Sequence, residues 1–209
     1  YVINNQKEQA MHLLNESFDF IKETSGEVSI EMAKQLASAA HGMLHYLDFI
    51  SIDKFAKRAI EICEEIGATD AYAFVEANLA LASSLVVQCK EREAKEYIDK
   101  IDFSAYSGSE FLADIVDSAG IVLCNLGDLA SVEKMCTELI VRKNNNCFAS
   151  FEANILLAFI NEQKGALSVA ESYAEEAKKC IGSVKSGDIK TDWLLMFYRI
   201  KAKISYRKG

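Results

Sequence analysis

The sequence predicts an all-α protein, an α-solenoid superhelix of antiparallel helix pairs with about ten helices. Three observations carry that. Glu76-Ala77-Asn78 and Glu152-Ala153-Asn154 open two similar helical stretches 76 residues apart, two periods of 38. A fixed period of about 20–50 residues marks a repeat architecture, in which each unit buries its apolar face on its neighbours. Apolar residues also recur at three- and four-residue steps along the chain, the spacing of one helix face, and no segment reads as a strand.

The elements follow in order. Residues 6–23 form a leading helix whose Ala10, Met11, Leu14, Phe18 and Ile21 make one apolar stripe. Thr24-Ser25-Gly26 ends it, and Ser29 caps the next helix with Met32 at its third position. Four helix pairs then occupy about 29–67, 69–102, 109–142 and 147–182. They align on inter-helix turns at Ser51, Cys89, Gly127 and Gly165, each 38 residues from the last.

Five residues past each turn stand Ala56, Ala94, Val132 and Ala170, then Ile60, Ile98, Cys136 and Ala174, then Cys63, Ile101, Leu139 and Ala177. Before the turn stand Met43-Leu44, Leu81-Ala82, Ala119-Gly120 and Leu157-Ala158, followed by Leu47, Leu85, Leu123 and Asn161. Small residues at the crossing let helix axes approach within about 8–10 Å. Gly127 and Gly165 suit a turn that needs positive φ. A closing helix over 188–208 carries Trp193, Leu194, Phe197 and Ile200. It reads either as a polar-faced cap or as the first helix of a fifth unit, with Tyr198, Ala202 and Ile204 in place and Gly209 at its turn. The links are short except at 102–109 and 143–147, and 1–209 reads as one repeat domain.

The pattern resembles the tetratricopeptide repeat. That family places a large and a small residue in mid first helix, glycine at the turn, and alanine, a larger residue and alanine on the second helix. Leu157-Ala158, Gly165, Ala170, Ala174 and Ala177 match well, as does Ala119-Gly120 with Leu123 and Gly127. Leu81-Ala82, Leu85, Ala94 and Ile98 follow less closely, and Met43-Leu44 with Ala56 and Ile60 least. The likeness covers about residues 29–182. The unit departs from the family's usual 34 residues, and the chain lacks the proline that often closes each unit. Divergent repeats of bacterial regulators are the nearer likeness.

Composition bounds the function. Half of the residues are hydrophobic, enough for a substantial core. No apolar run is long and uncharged enough to span a membrane. Net charge is −8, yet residues 178–209 hold nine basic and two acidic side chains. The remaining acidic body disfavours direct contact with nucleic acid. The basic end reads as a solvated face or as a dock for an acidic surface, such as another copy in a homodimer. Cys63, Cys89, Cys124, Cys136, Cys147 and Cys180 form no CxxC pair and fall mostly on apolar faces, as free thiols in a reducing cytoplasm do. The chain begins with Tyr1 rather than Met, so a segment of a longer protein is expected.

No nucleophile–base pair, phosphate-binding glycine loop or metal-ligand spacing marks chemistry, so no catalytic residue, cofactor or metal is expected. One constellation could dissent. His41 and His45 stand at i, i+4 with Asp48 close behind. That spacing on one helix face can chelate a metal, contact a partner, or be ordinary polar surface.

In the tetratricopeptide family the first helices line a concave face. The resemblance places Ser38, His41, His45 and Asp48 there, then Glu76, Leu79, Ser83 and Val86. Asp114, Asp117, Ile121 and Cys124 follow, then Glu152, Ile155, Phe159 and Glu162. Glu76, Asp114 and Glu152 would give a groove suited to a peptide with apolar anchors and a basic residue, or would only keep that face soluble. Asn78 and Asn154 could hydrogen-bond a peptide backbone or a neighbouring helix. The resemblance implies a non-catalytic protein- or peptide-binding module, the sensor or scaffold of a bacterial signalling or transcriptional regulatory protein. A self-associating scaffold is the alternative, and a metal-dependent enzyme using His41 and His45 the third reading.

Overall fold

The computed structural model describes residues 2–106, 111–141, 147–181 and 191–208. Among them lie ten α-helices and no strand. The chain divides into two compact units, Tyr1–Ala105 and Tyr106–Gly209. The sequence marks this boundary only by Ser107-Gly108-Ser109, a short run of small polar residues.

The first unit begins with α1 (Val2–Thr24), and the chain turns after it at Gly26 with φ +93°. Its Phe18 packs on Phe55, ring centroids 5.4 Å apart. The helix α2 (Ile30–Met43) is capped as expected, with the Met32 amide donating to Ser29 Oγ at 3.2 Å. A 3-10 turn (Leu44–Tyr46) leads to α3 (Phe49–Glu65). Then come α4 (Tyr72–Val87) and the short α5 (Glu91–Ile98). The helix α4 packs on α2, α3 and α5. It has no polar face, and ten of its residues, from Ala73 to Ser84, are buried. A helix apolar all round belongs at the centre of its unit.

The second unit also has one central helix. It holds α6 (Leu112–Asn125), α7 (Leu129–Val141), α8 (Cys147–Gln163), α9 (Leu167–Ile181) and α10 (Thr191–Lys208). Here α8 is central and packs on α6, α7, α9 and α10. Between 151 and 162 only Phe159 escapes full burial. The closing helix buries Trp193, Phe197, Ile200 and Ile204, one face at helical spacing. At the α6/α8 crossing, a Cβ on Gly120 would stand 2.4 Å from Leu156 Cδ1, so the predicted small position is used for close approach.

The hairpin turns share one geometry. At Cys89, Gly127 and Gly165 the turn residue has positive φ. In each, its amide donates three residues back and the next amide donates five residues back, as in Lys90 N to Leu85 O, Asp128 N to Leu123 O and Ala166 N to Asn161 O. This is the Schellman closure, which satisfies the last carbonyls of the first helix. The 38-residue spacing of these three turns stands.

The first turn is a correction. It lies at Leu47 (φ 52°), with Asp48 N donating to Met43 O, and Ser51 is inside α3. The spacing from there to Cys89 is therefore 42 residues. The residues that fill the crossing are Ala39, Ala40 and Met43, all buried, whereas Leu47 is 59% exposed and Leu44 half-buried. The Asp48 carboxylate decides the register. It accepts from the Ser51 amide and caps α3, as Asp128 accepts from the Ser131 amide before α7. Gly209, the links at 107–110 and 143–146, and residues 188–190 of the expected closing helix lie outside the described residues.

Candidate functional site

The central position of α4 and α8 settles the fate of several predicted binding residues. Asn78, Leu79, Glu152, Asn154, Ile155 and Glu162 are buried and present no surface to a partner. Neighbours pack on these helices from several sides, so little inner face remains. The two asparagines behave alike. Asn78 Nδ2 donates to Phe74 O and Asn154 Nδ2 to Ser150 O, each at 2.7 Å and one turn back on its own helix. Each amide thus donates within its own helix rather than to a neighbouring one.

Other predicted residues are committed to the scaffold. Asp48 ion-pairs with Lys7 Nζ at 2.9 Å and accepts from Ser51 Oγ at 2.7 Å. Burial pushes its carboxyl up, but the Lys7 and Ser51 hydrogen bonds outweigh that and hold it below the usual carboxylate range. Glu76, half-buried, accepts from Ser38 Oγ at 3.3 Å. Asp117 accepts from Trp193 Nε1 at 3.1 Å and so fixes the start of α10 on its own unit. Asp114 is exposed and Ser83 half-buried.

The histidine pair is also rearranged. The helix α2 ends at Met43, so His41 lies in its last turn and His45 in the 3-10 turn beyond. They do not share one continuous α-helical face, and Asp48 is held by its cap and Lys7. Among the described residues no three His, Cys, Asp or Glu side chains converge as a metal set. His45 instead edges a hollow of about 480 Å³ under α1, with Ala10, Leu14, Ser38, Met43 and Tyr46.

Three predicted residues, Ile121, Cys124 and Phe159, do meet. Ile121 from α6 and Phe159 from α8 line a cleft of about 430 Å³ closed by α10. From α6 come also Cys124 and Asn125. The closing helix supplies Leu195, Met196, Arg199, Ile200 and Lys203. Ile121 is 39% and Leu195 63% exposed, so the apolar wall is open to a partner. Burial pushes the Cys124 thiol up to about 12, and burial, with Cys124 and Glu152 adding, raises Cys136 as well. Both stay protonated at neutral pH and are poor nucleophiles. The cleft can bind through apolar contact and a positive rim.

Glu162 of α8 is fully buried. Arg207 Nη1 stands 3.0 Å from its Oε1 while donating to its backbone carbonyl at 2.8 Å, and Lys203 Nζ is 4.0 Å from Oε2. Gln163 Nε2 donates to the same Oε2 at 2.6 Å. The α10 contribution was missed by sequence reasoning. Its signal is a second pattern on that helix, Leu195, Met196, Arg199 and Lys203 at three-, four- and eight-residue steps, offset from the Trp193–Ile204 core face.

No protein-family model matches the chain, and comparison with curated proteins gives no significant match.

Proposed function

We propose that the chain is a non-catalytic tetratricopeptide-like module that binds a protein or peptide segment, as the sensor or scaffold part of a bacterial signalling or regulatory protein. The observation that carries this is the α6/α8/α10 cleft, an accessible apolar wall beside cations. Its volume falls within the range of about 300–1,000 Å³ usual for ligand pockets. The repeat likeness is supported by the Schellman turns at Cys89, Gly127 and Gly165 and by the burial of every residue aligned on, or just after, the second helices that follow them. A cytoplasmic setting is supported by Cys63 and Cys136, free thiols in the core. No described helix is long and apolar enough to cross a membrane. Self-association through the basic end has less support, because most cations of α10 meet carboxylates of their own unit.

The test is affinity capture with the parent chain and with Ile121→Glu, which places a charge in the cleft wall. Partners captured by the parent and lost by the variant, with unchanged circular dichroism, support the reading. Identical capture by both would remove the cleft from it.

A further inference from the structure

We infer that the α6/α8/α10 cleft takes an acidic–apolar peptide segment, a large apolar side chain against Ile121, Phe159 and Leu195 with a carboxylate beside it on Arg199. This rests on the peptide-binding reading and fixes the sign of the partner. The repeated carboxylates Glu76, Asp114 and Glu152 imply a basic partner in the sequence; the cleft itself implies the opposite. Among the described residues no acidic side chain lines it.

Arg199 stands apart from the other cations of α10. Lys201 pairs with Glu175 at 2.6 Å, Arg207 with Glu162 at 3.0 Å, and Lys208 with Glu171. Lys203 has only a 4.0 Å approach to the same Glu162 that Arg207 already holds. Arg199 alone of these five has no carboxylate partner among the described residues, and it stands exposed on the cleft. A guanidinium presents a planar donor fork that matches a carboxylate through two parallel hydrogen bonds. Beside an apolar wall that excludes water, such a pair is worth more than on open surface. Lys203, one turn along on the same rim, adds to the field without competing for the same oxygens.

The experiment selects peptides on the full chain from a random short-peptide display library, then repeats the selection on Arg199→Glu. Enrichment of sequences joining Asp or Glu to Leu, Ile or Phe is expected on the parent, with a shift toward Lys or Arg on the variant. A synthetic peptide from the parent pool should bind the variant roughly tenfold or more weakly by fluorescence polarisation, the loss of one charge-assisted contact. Its affinity for the parent should fall with salt. Enrichment of neutral or basic peptides overturns the acidic assignment and leaves peptide binding standing. Acidic peptides indifferent to Arg199→Glu move the site elsewhere and overturn the assignment. An absence of any enriched peptide overturns both. Sedimentation of the free chain completes the test: a dimer dissolved by Arg199→Glu would put a second copy on the cleft instead.

Discussion

Each unit fastens its terminal helix to a hairpin turn with a carboxylate–cation pair, and the two pairs are of different kinds. In the first unit Lys7 on α1 reaches Asp48, the residue just after the Leu47 turn. In the second, Arg207 on α10 reaches Glu162, three residues before the Gly165 turn. Asp48 is 12% exposed, and it also caps a helix. Glu162 is 0% exposed, on a helix enclosed by four others. Each carboxylate has further donors, Ser51 at Asp48 and Gln163 at Glu162. The buried Glu162 leans more on its cation, because a buried charge that loses its partner keeps its desolvation cost. Similar placement therefore gives a dispensable strap at one end and a required lock at the other.

The largest effect should come from breaking the lock. Arg207→Met is expected to destabilise the chain by about 2–3 kcal/mol in urea unfolding, somewhat under the usual cost of breaking a buried pair because the arginine is half-exposed. Glu162→Gln on that background should recover part of the loss, since no uncompensated charge remains. A loss under about 0.5 kcal/mol would mean that Lys203 and Gln163 suffice, and the contrast between the two ends would collapse.

Next in size is the strap. Asp48→Ala removes an N-cap and should cost about 1 kcal/mol near neutral pH. Lys7→Met, which leaves the cap intact, should cost less than that, as partly exposed ion pairs do. The carboxyl of Asp48 is held below its unfolded value of about 3.9. Its contribution is therefore fully present above about pH 4 and is lost as pH falls through the folded value. Stability measured from pH 6 downward should show the parent and Asp48→Ala converging at the acid end. A gap that persists below both values would assign the effect to packing rather than to charge.

These contrasts show which parts of the molecule the sequence discloses. Helix period, the Ser29 cap and the turns at Gly127 and Gly165 are local, and local patterns are read directly. The turn at Leu47 is hidden because leucine gives no sign of a left-handed backbone. Its trace is indirect, in Asp48-Phe49-Ile50-Ser51 repeating the cap spacing of Asp128-Leu129-Ala130-Ser131. The groove reading of Glu152, Asn154, Ile155 and Glu162 fails for a tertiary reason: α8 is surrounded, and its nearly continuous apolar composition was the warning. The role of Arg199 in the cleft is the least legible. Arg199 differs from Lys201, Arg207 and Lys208 only in which carboxylates other helices bring near them.

The smallest expected effect tests the turns themselves. The first unit closes its hairpins with Leu47 (φ 52°) and Cys89 (φ 58°), the second with Gly127 and Gly165 (φ 80° and 76°). The hydrogen bonding is the same, so the difference is the cost of a Cβ in the left-handed region, about 1–2 kcal/mol for an ordinary residue. Replacing it by glycine returns that cost but adds freedom to the unfolded chain worth about 0.4–1 kcal/mol. Leu47 is 59% exposed, so little apolar burial is lost. Leu47→Gly and Cys89→Gly should each therefore stabilise by roughly 0.5 kcal/mol, read as a small rise in Tm, whereas Gly165→Ala should lower it by a comparable or larger step. A fall in Tm for Leu47→Gly would mean that the leucine side chain contributes more at the turn than its exposure indicates, and that the two units close their hairpins by different means.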